Sequence, residues 1–315
     1  MVTIRKICIL VILACLFSFK TICAQSNHGF SLFPITGFLY GRSEELVYKT
    51  AQTSQYRSEL LWDLKPLLYF GLGAEFAPVN PFRYRGFSVS AHIKFGLPHG
   101  TGIIENRDWN NNHNDDFTNY SRHYAYMLAS YMADINAGYS WSLGNFMFLR
   151  LFGEFSFMYF SLAARDGYYQ YPPGSDSINI YGDVIRYLQS WFIISPGISL
   201  GLRINPALSL EGIFSYTPLI FSFNKDDHVL KDVSYWDNLS FGNYFSFGSR
   251  IIFTPSAGFD FILSVFYRRI SGTRGDTHIE SNNFVTLHQN IGGAGYSALD
   301  LSLALRIRIF NKNHF

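Results

Sequence analysis

Between Phe87 and Leu97 the chain alternates without interruption: Phe87, Val89, Ala91, Ile93, Phe95 and Leu97 are apolar, and Ser88, Ser90, His92, Lys94 and Gly96 lie between them. A period of two marks an extended strand whose side chains leave on opposite faces. The same split returns in Leu149, Leu151, Phe155, Phe157 and Tyr159 against Arg150, Glu154 and Ser156, and in Leu301, Leu303, Leu305, Ile307 and Ile309 against Ser302, Arg306 and Arg308. The second face is not merely polar but charged. In the core of a small sandwich those charges would be buried without partners. A membrane β-barrel resolves the conflict, because one face meets lipid and the other a lumen where charges can pair or stay hydrated.

Composition agrees with membrane strands. Aromatic residues make up 18% of the chain and charged residues only 15%, as expected where lipid faces are apolar and aromatic girdles mark the interfaces. A net charge of +2 lacks the basic excess of a nucleic-acid binder, and none is expected as a partner. At the start, Arg5 and Lys6 precede an apolar run from Ile7 to Phe19, and Ile22-Cys23-Ala24 resembles a cleavage site. The run is shorter than the ~20 apolar residues of a spanning helix, so residues 1–24 read as a secretory signal and 25–315 as one barrel domain. Cys8, Cys15 and Cys23 all fall in that leader. The mature chain therefore has no thiol for a disulfide or a thiolate metal site.

Strands and breakers read in order give spans near 30–50, 58–76, 83–97, 124–141, 146–165, 187–204, 207–223, 241–253, 258–270 and 297–310. That predicts an all-β, ten-stranded antiparallel transmembrane barrel. Short turns such as Gly144-Asn145, Asn205-Pro206 and Thr254-Pro255-Ser256-Ala257 alternate with polar stretches near 98–123, 166–186, 224–240 and 271–296, which read as long loops. With an even strand number, every short turn lies on the periplasmic side and every long loop outside. The terminal Phe315 is in keeping with such a barrel. Ten strands with large inward residues leave little room for a general porin's channel.

Parity brings residues of different long loops to one rim. Asp226 and His228, two apart on an extended segment, share a face, so the carboxylate can orient the imidazole and raise its basicity. A histidine so held can deprotonate water, and a carboxylate across the lumen such as Asp108 could position that water or the attacked carbonyl. Spacing alone equally describes solvated loop charges.

The sequence resembles the omptins, ten-stranded outer-membrane endopeptidases of Gram-negative bacteria. The similarity rests on Gly41-Arg42-Ser43-Glu44-Glu45-Leu46-Val47-Tyr48, Ser58-Glu59-Leu60-Leu61-Trp62, Arg107-Asp108-Trp109, Ser121-Arg122-His123, Asp226-Asp227-His228 and Gly293-Ala294-Gly295, in that order. The resemblance implies peptide hydrolysis in which an Asp and His pair, here Asp226 and His228, activates water while two facing aspartates complete the site. The facing positions are Asn106 and Asp108, so one expected aspartate is an asparagine. A neutral amide can hydrogen-bond water but cannot share a proton or supply negative charge. Glu105, next door, points to the other face of a strand. The family's preference for basic residues rests on pocket acids: Glu45 matches one, and Asn224 stands where the other would be. The expectation is weaker selection for basic residues or a changed substrate class.

The same resemblance implies location in the bacterial outer membrane with the site facing outside, contact with outer-membrane lipids, peptide or protein substrates at the cell surface, and no cofactor or metal. The family's lipopolysaccharide-binding pattern is not matched around Phe155 to Tyr159, which are mostly aromatic and apolar. The alternative from another class is a non-enzymatic barrel for adhesion or ligand binding, which Asn106 favours. Arg150, Glu154, Asp134, Arg203, Glu211, Arg250, Asp260, Arg268, Arg306 and Arg308 sit at lumen parity and predict ion pairs filling the barrel. His113, His123, His278, His288 and His314 lack the spacing of a metal site and read as surface histidines.

Overall fold

Period-two segments have their backbone polar groups satisfied only by neighbouring strands, and in lipid the series must close on itself to leave no bare edge. The chain does this. The computed structural model describes residues 28–109, 116–256, 258–281 and 284–309. The leader, His113, His314 and Phe315 lie outside them. The strands are β1 (His28–Tyr48), β2 (Tyr56–Pro78), β3 (Gly86–Gly96), β4 (His99–Asp108), β5 (Asn119–Ser142), β6 (Met147–Gln170), β7 (Ile178–Asn205), β8 (Leu208–Thr217), β9 (Ile220–His228), β10 (Val233–Ser240), β11 (Asn243–Ser256), β12 (Phe259–Ser271), β13 (Arg274–Ser281) and β14 (Phe284–Ile309).

β3 and β4 run end to end between β2 and β5, and β8–β9, β10–β11 and β12–β13 do likewise between their neighbours. The fourteen segments thus form ten staves. Antiparallel pairing of β1 with β14, from Phe30 opposite Ile309 to Val47 opposite Gly292, closes the ring. The breaks within staves have local causes. Pro98 and Pro218 have no N–H to give the ladder, and Phe241 (φ 56°) and Gly272 (φ 73°) turn the backbone left-handed.

The ten-strand reading stands, but the predicted long loops do not. Among the described residues the stretches 98–123, 166–186, 224–240 and 271–296 are mostly strand, forming hairpins that continue the barrel beyond the membrane. Phe30, Leu32, Phe70, Leu72, Ile135 and Phe214 are among the outward side chains left exposed around the lower barrel. An apolar belt this continuous requires lipid as its solvent.

The interior has two storeys. Toward the short turns a cavity of 1460 Å³ is lined by charged side chains, which pair as Lys94–Asp300 at 2.7 Å, Arg250–Glu211 at 3.6 Å, Arg268–Asp134 at 3.7 Å and Arg308–Asp260 at 2.6 Å. The predicted ion pairs exist, but they line this space instead of filling it. Above it, Leu39, Leu64, Leu67, Met158, Phe160 and Trp191 belong to one apolar cluster. That layer closes the lumen among the described residues and leaves a cup at the far end.

Candidate active site at the outer rim

The cup's walls are hairpins, so alternation decides which residues face inward. β9 and β10 pair with Asn224 opposite Asp237, Asp226 opposite Tyr235 and His228 opposite Val233. Asn224, Asp226 and Asp237 are all less than a tenth exposed. The intervening residues occupy the outer face: Lys225 pairs with Asp227 at 2.9 Å and lies 4.6 Å over the Trp236 ring.

His228 Nε2 and Asp226 Oδ2 are 2.7 Å apart. With Nε2–H donated to the carboxylate, the ring's lone pair is left on Nδ1. His228 is more open than its partner, with side-chain exposures of 17% and 3%. The Tyr235 ring meets the imidazole edge-on at 5.3 Å.

Across the ring, β4 is flanked by β2 and β5. Ser58 on β2 stands opposite Asp108 and donates its hydroxyl proton to Asp108 Oδ1 at 2.7 Å; Asn106 Oδ1 lies 3.4 Å from the same hydroxyl. Glu105 is on the other face, bound by Arg107 at 2.9 Å and by the Tyr120 hydroxyl at 2.9 Å. The two walls share one electrostatic field. Burial, then the charges of Asp226, Glu45 and Asp108, hold the Tyr235 phenol above its ordinary range, with Arg57 opposing.

Glu45 projects from β1, 3% exposed, within hydrogen-bonding reach of Asp226. Burial chiefly, then the negative charges of Asp226 and Asp237, push its carboxyl well above the usual range. Asn224 accepts from Ser222 Oγ at 2.8 Å, but its Nδ2 has no partner, and neither do Glu45 Oε2 and Asp226 Oδ1. Beneath them Ser43 Oγ donates to Gln189 Oε1 at 2.6 Å, Gln189 Nε2 to the Tyr187 hydroxyl at 3.1 Å, and Tyr187 stacks on Trp62 at 5.5 Å.

The fold thus puts Asp226 and His228 in contact, joins Asn106 and Asp108 through Ser58, and gathers Glu45 and Asn224 around Asp226. Ser58, Tyr235 and Asp237 were not legible as site residues. Asp237 lies on the far arm of the hairpin that turns at 229–232, and only the strand register brings it opposite Asn224. His123 corrects an expectation: it is not a surface residue but 2% exposed on β5, its Nδ1 2.7 Å from the Asp166 carbonyl.

A closed ten-stave barrel with a lipid-facing belt, a blocked lumen and a polar cup beyond the membrane defines an outer-membrane protein whose working surface faces outside. The omptin family model matches residues 26–309, and the chain belongs to that family of outer-membrane proteases. It is 24% identical over 239 residues to the plasminogen activator of Yersinia pestis, an alignment covering 70% of this chain and 69% of that protein. The crystal structure of the outer membrane protease OmpT from Escherichia coli is similar in fold, with a TM-score of 0.80 and 19% identity over 89% of this chain and 97% of that one.

Proposed function

We propose that the protein is an endopeptidase in which His228, oriented by Asp226, activates a water molecule for direct attack on a peptide carbonyl. The observation that carries this reading is the 2.7 Å contact between His228 Nε2 and a buried Asp226 at the open end of a sealed barrel. His228 Nδ1 takes a proton as water adds to the carbonyl carbon, and the imidazolium returns it to the leaving amine when the C–N bond breaks. The Asp226 charge favours the imidazolium between those steps. Asp108, fixed by Ser58, is the acceptor that orients the water from the opposite wall. Asn106 brings an amide that can donate to the developing oxyanion. Glu45 and Asn224 belong to the substrate side, and outer-membrane lipids surround the belt below.

A second reading has one observation in its favour. Asn106 removes a negative charge from the water side, which suits a barrel that binds peptides at this rim without cutting them. Cleavage of a peptide library by the refolded protein, compared with His228→Ala, separates the two. Loss of cleavage in the variant is the expected result, with a rate falling at least about 1000-fold if the imidazole is the base and the remaining groups act only by positioning. Cleavage that survives the substitution, or none by the unmodified protein, would sink the hydrolytic mechanism.

A further inference from the structure

Among the described residues, the strongly buried acids are Glu45, Asp134, Glu211, Asp226, Asp237, Asp260 and Asp300. Five of them have a basic partner: Arg268 for Asp134, Arg250 for Glu211, His228 for Asp226, Arg306 and Arg308 for Asp260, and Lys94 for Asp300. Glu45 and Asp237 have none. A buried carboxylate is tolerated when it is paired and is expensive when it is not, so two unpaired acids in one cup need a reason.

They belong to the same cup: Asp237 stands opposite Asn224 across the hairpin, and Glu45 comes within hydrogen-bonding reach of Asp226 from β1. The charge of Asp237 acts on Glu45 and that of Asp226 on both. Asp237 accepts one hydrogen bond, from Thr277 Oγ1 at 2.6 Å, while Glu45 Oε2 has no donor. The β14 backbone packs directly against Asp237, since a β-carbon on Gly292 would come within 2.8 Å of Asp237 Oδ1, and it brings no cation there. Without a cation, burial holds the Asp237 proton up to about 7, with Thr277 pulling down and Asp226 pushing up.

We infer that Asp237 and Glu45 form a two-carboxylate seat for the cationic end of a substrate Lys or Arg side chain, so that Asp237 is a specificity-determining residue of this barrel. The inference rests on the peptidase reading and changes one of its terms. Asn224 removes a carboxylate from its own position, but its cross-strand partner puts one back about 5 Å away. Selection for basic residues is then as strong as with two acids, not weakened to one. The missing counter-ion of the buried pair arrives with the substrate.

The test uses the refolded full barrel and two peptides that differ only in Arg against citrulline, which keeps the shape and loses the charge. Asp237→Asn preserves size and can still accept from Thr277 Oγ1. The ratio of kcat/KM for the Arg over the citrulline peptide is expected to fall roughly 10- to 100-fold in Asp237→Asn, the worth of one charged hydrogen bond. The exchange Asn224→Asp with Asp237→Asn should restore most of it. A ratio unmoved by Asp237→Asn would overturn the assignment. If no peptide is cut, the peptidase reading fails alone, and fluorescence anisotropy with the same two labelled peptides on the His228→Ala protein decides this one. Preference for the Arg peptide that Asp237→Asn abolishes supports the seat, and equal binding of both peptides refutes it.

Discussion

Replacing Asp226 by asparagine should make the protein more stable while nearly abolishing its activity. Asp226 uses Oδ2 for His228, and once Glu45 is ionised neither Asp226 Oδ1 nor Glu45 Oε2 has a donor. In Asp226→Asn the amide oxygen can still accept from His228 Nε2, and the amide nitrogen takes the place of Oδ1, where it can donate to Glu45. At a pH where Glu45 is ionised, a hydrogen bond to that charged group contributes about 1.5–3 kcal/mol, and weakening the one to His228 takes back about 1 kcal/mol. The net expectation is a gain of about 1–2 kcal/mol. Its sign with pH follows from Glu45. Because the folded-state value of that carboxyl is raised, its contribution to stability is complete below the ordinary value of 4.5 and is lost as pH rises through the raised one. Asp226 is one cause of the raising, so stability should decline less steeply above pH 4.5 in the variant. Catalysis moves the other way, since an amide oxygen can orient the ring but carries no charge to stabilise the imidazolium; orienting carboxylates elsewhere are worth roughly 10000-fold. Urea unfolding in detergent micelles, followed by tryptophan fluorescence at several pH values, measures the first effect, and peptide cleavage the second. A variant less stable than the parent at every pH tested, or one that keeps a tenth of the rate, would refute the reasoning.

Two other substitutions probe the remaining parts of the molecule. Asn106→Asp places a second carboxylate on the water side beside Asp108 and should raise the rate of cleavage by about 100-fold, the low end of the range for one acid–base group; a fall in rate on the same peptides would mean that the amide donates to the oxyanion. Lys94→Met leaves Asp300 with the Tyr69 hydroxyl but without its ion-pair partner, since the Lys94 and Asp300 side chains are only 9% and 3% exposed and meet at 2.7 Å. A loss of roughly 3–5 kcal/mol in urea unfolding is expected, most of it recovered by adding Asp300→Asn, and a loss below about 1 kcal/mol would show that the lower lumen is wet enough to solvate the carboxylate alone.

Alternation was legible wherever the outer face meets lipid, and it vanished where that face meets water. Along β3, Val89 and Ile93 contrast with Ser90 and Lys94, so the strand could be read from its sequence alone. Along β4 the outward Glu105 and Arg107 are as polar as the inward Asn106 and Asp108, and the stretch reads as loop although its ladder to β2 and β5 is intact. The same physics hid part of the site. Asp226 and His228 could be related because they share a strand and a face. Asp237 lies on the other arm of a hairpin whose register the sequence does not display, and only the pairing with Asn224 brings it into the cup. Ser58 is likewise joined to Asp108 by cross-strand pairing and not by any local pattern.

Because these side chains stand on hydrogen-bonded ladders, the cup behaves as a fixed grid with a pitch of about 4.8 Å between strands and about 6.8 Å between successive inward residues of one strand. A charge can be handed from one grid point to the next by exchanging two side chains while the backbone stays where it is. A scaffold of this kind can retarget what it recognises through substitutions that leave its folding untouched. Its relatives should then be told apart by which grid points carry the acids and not by the shape of their loops.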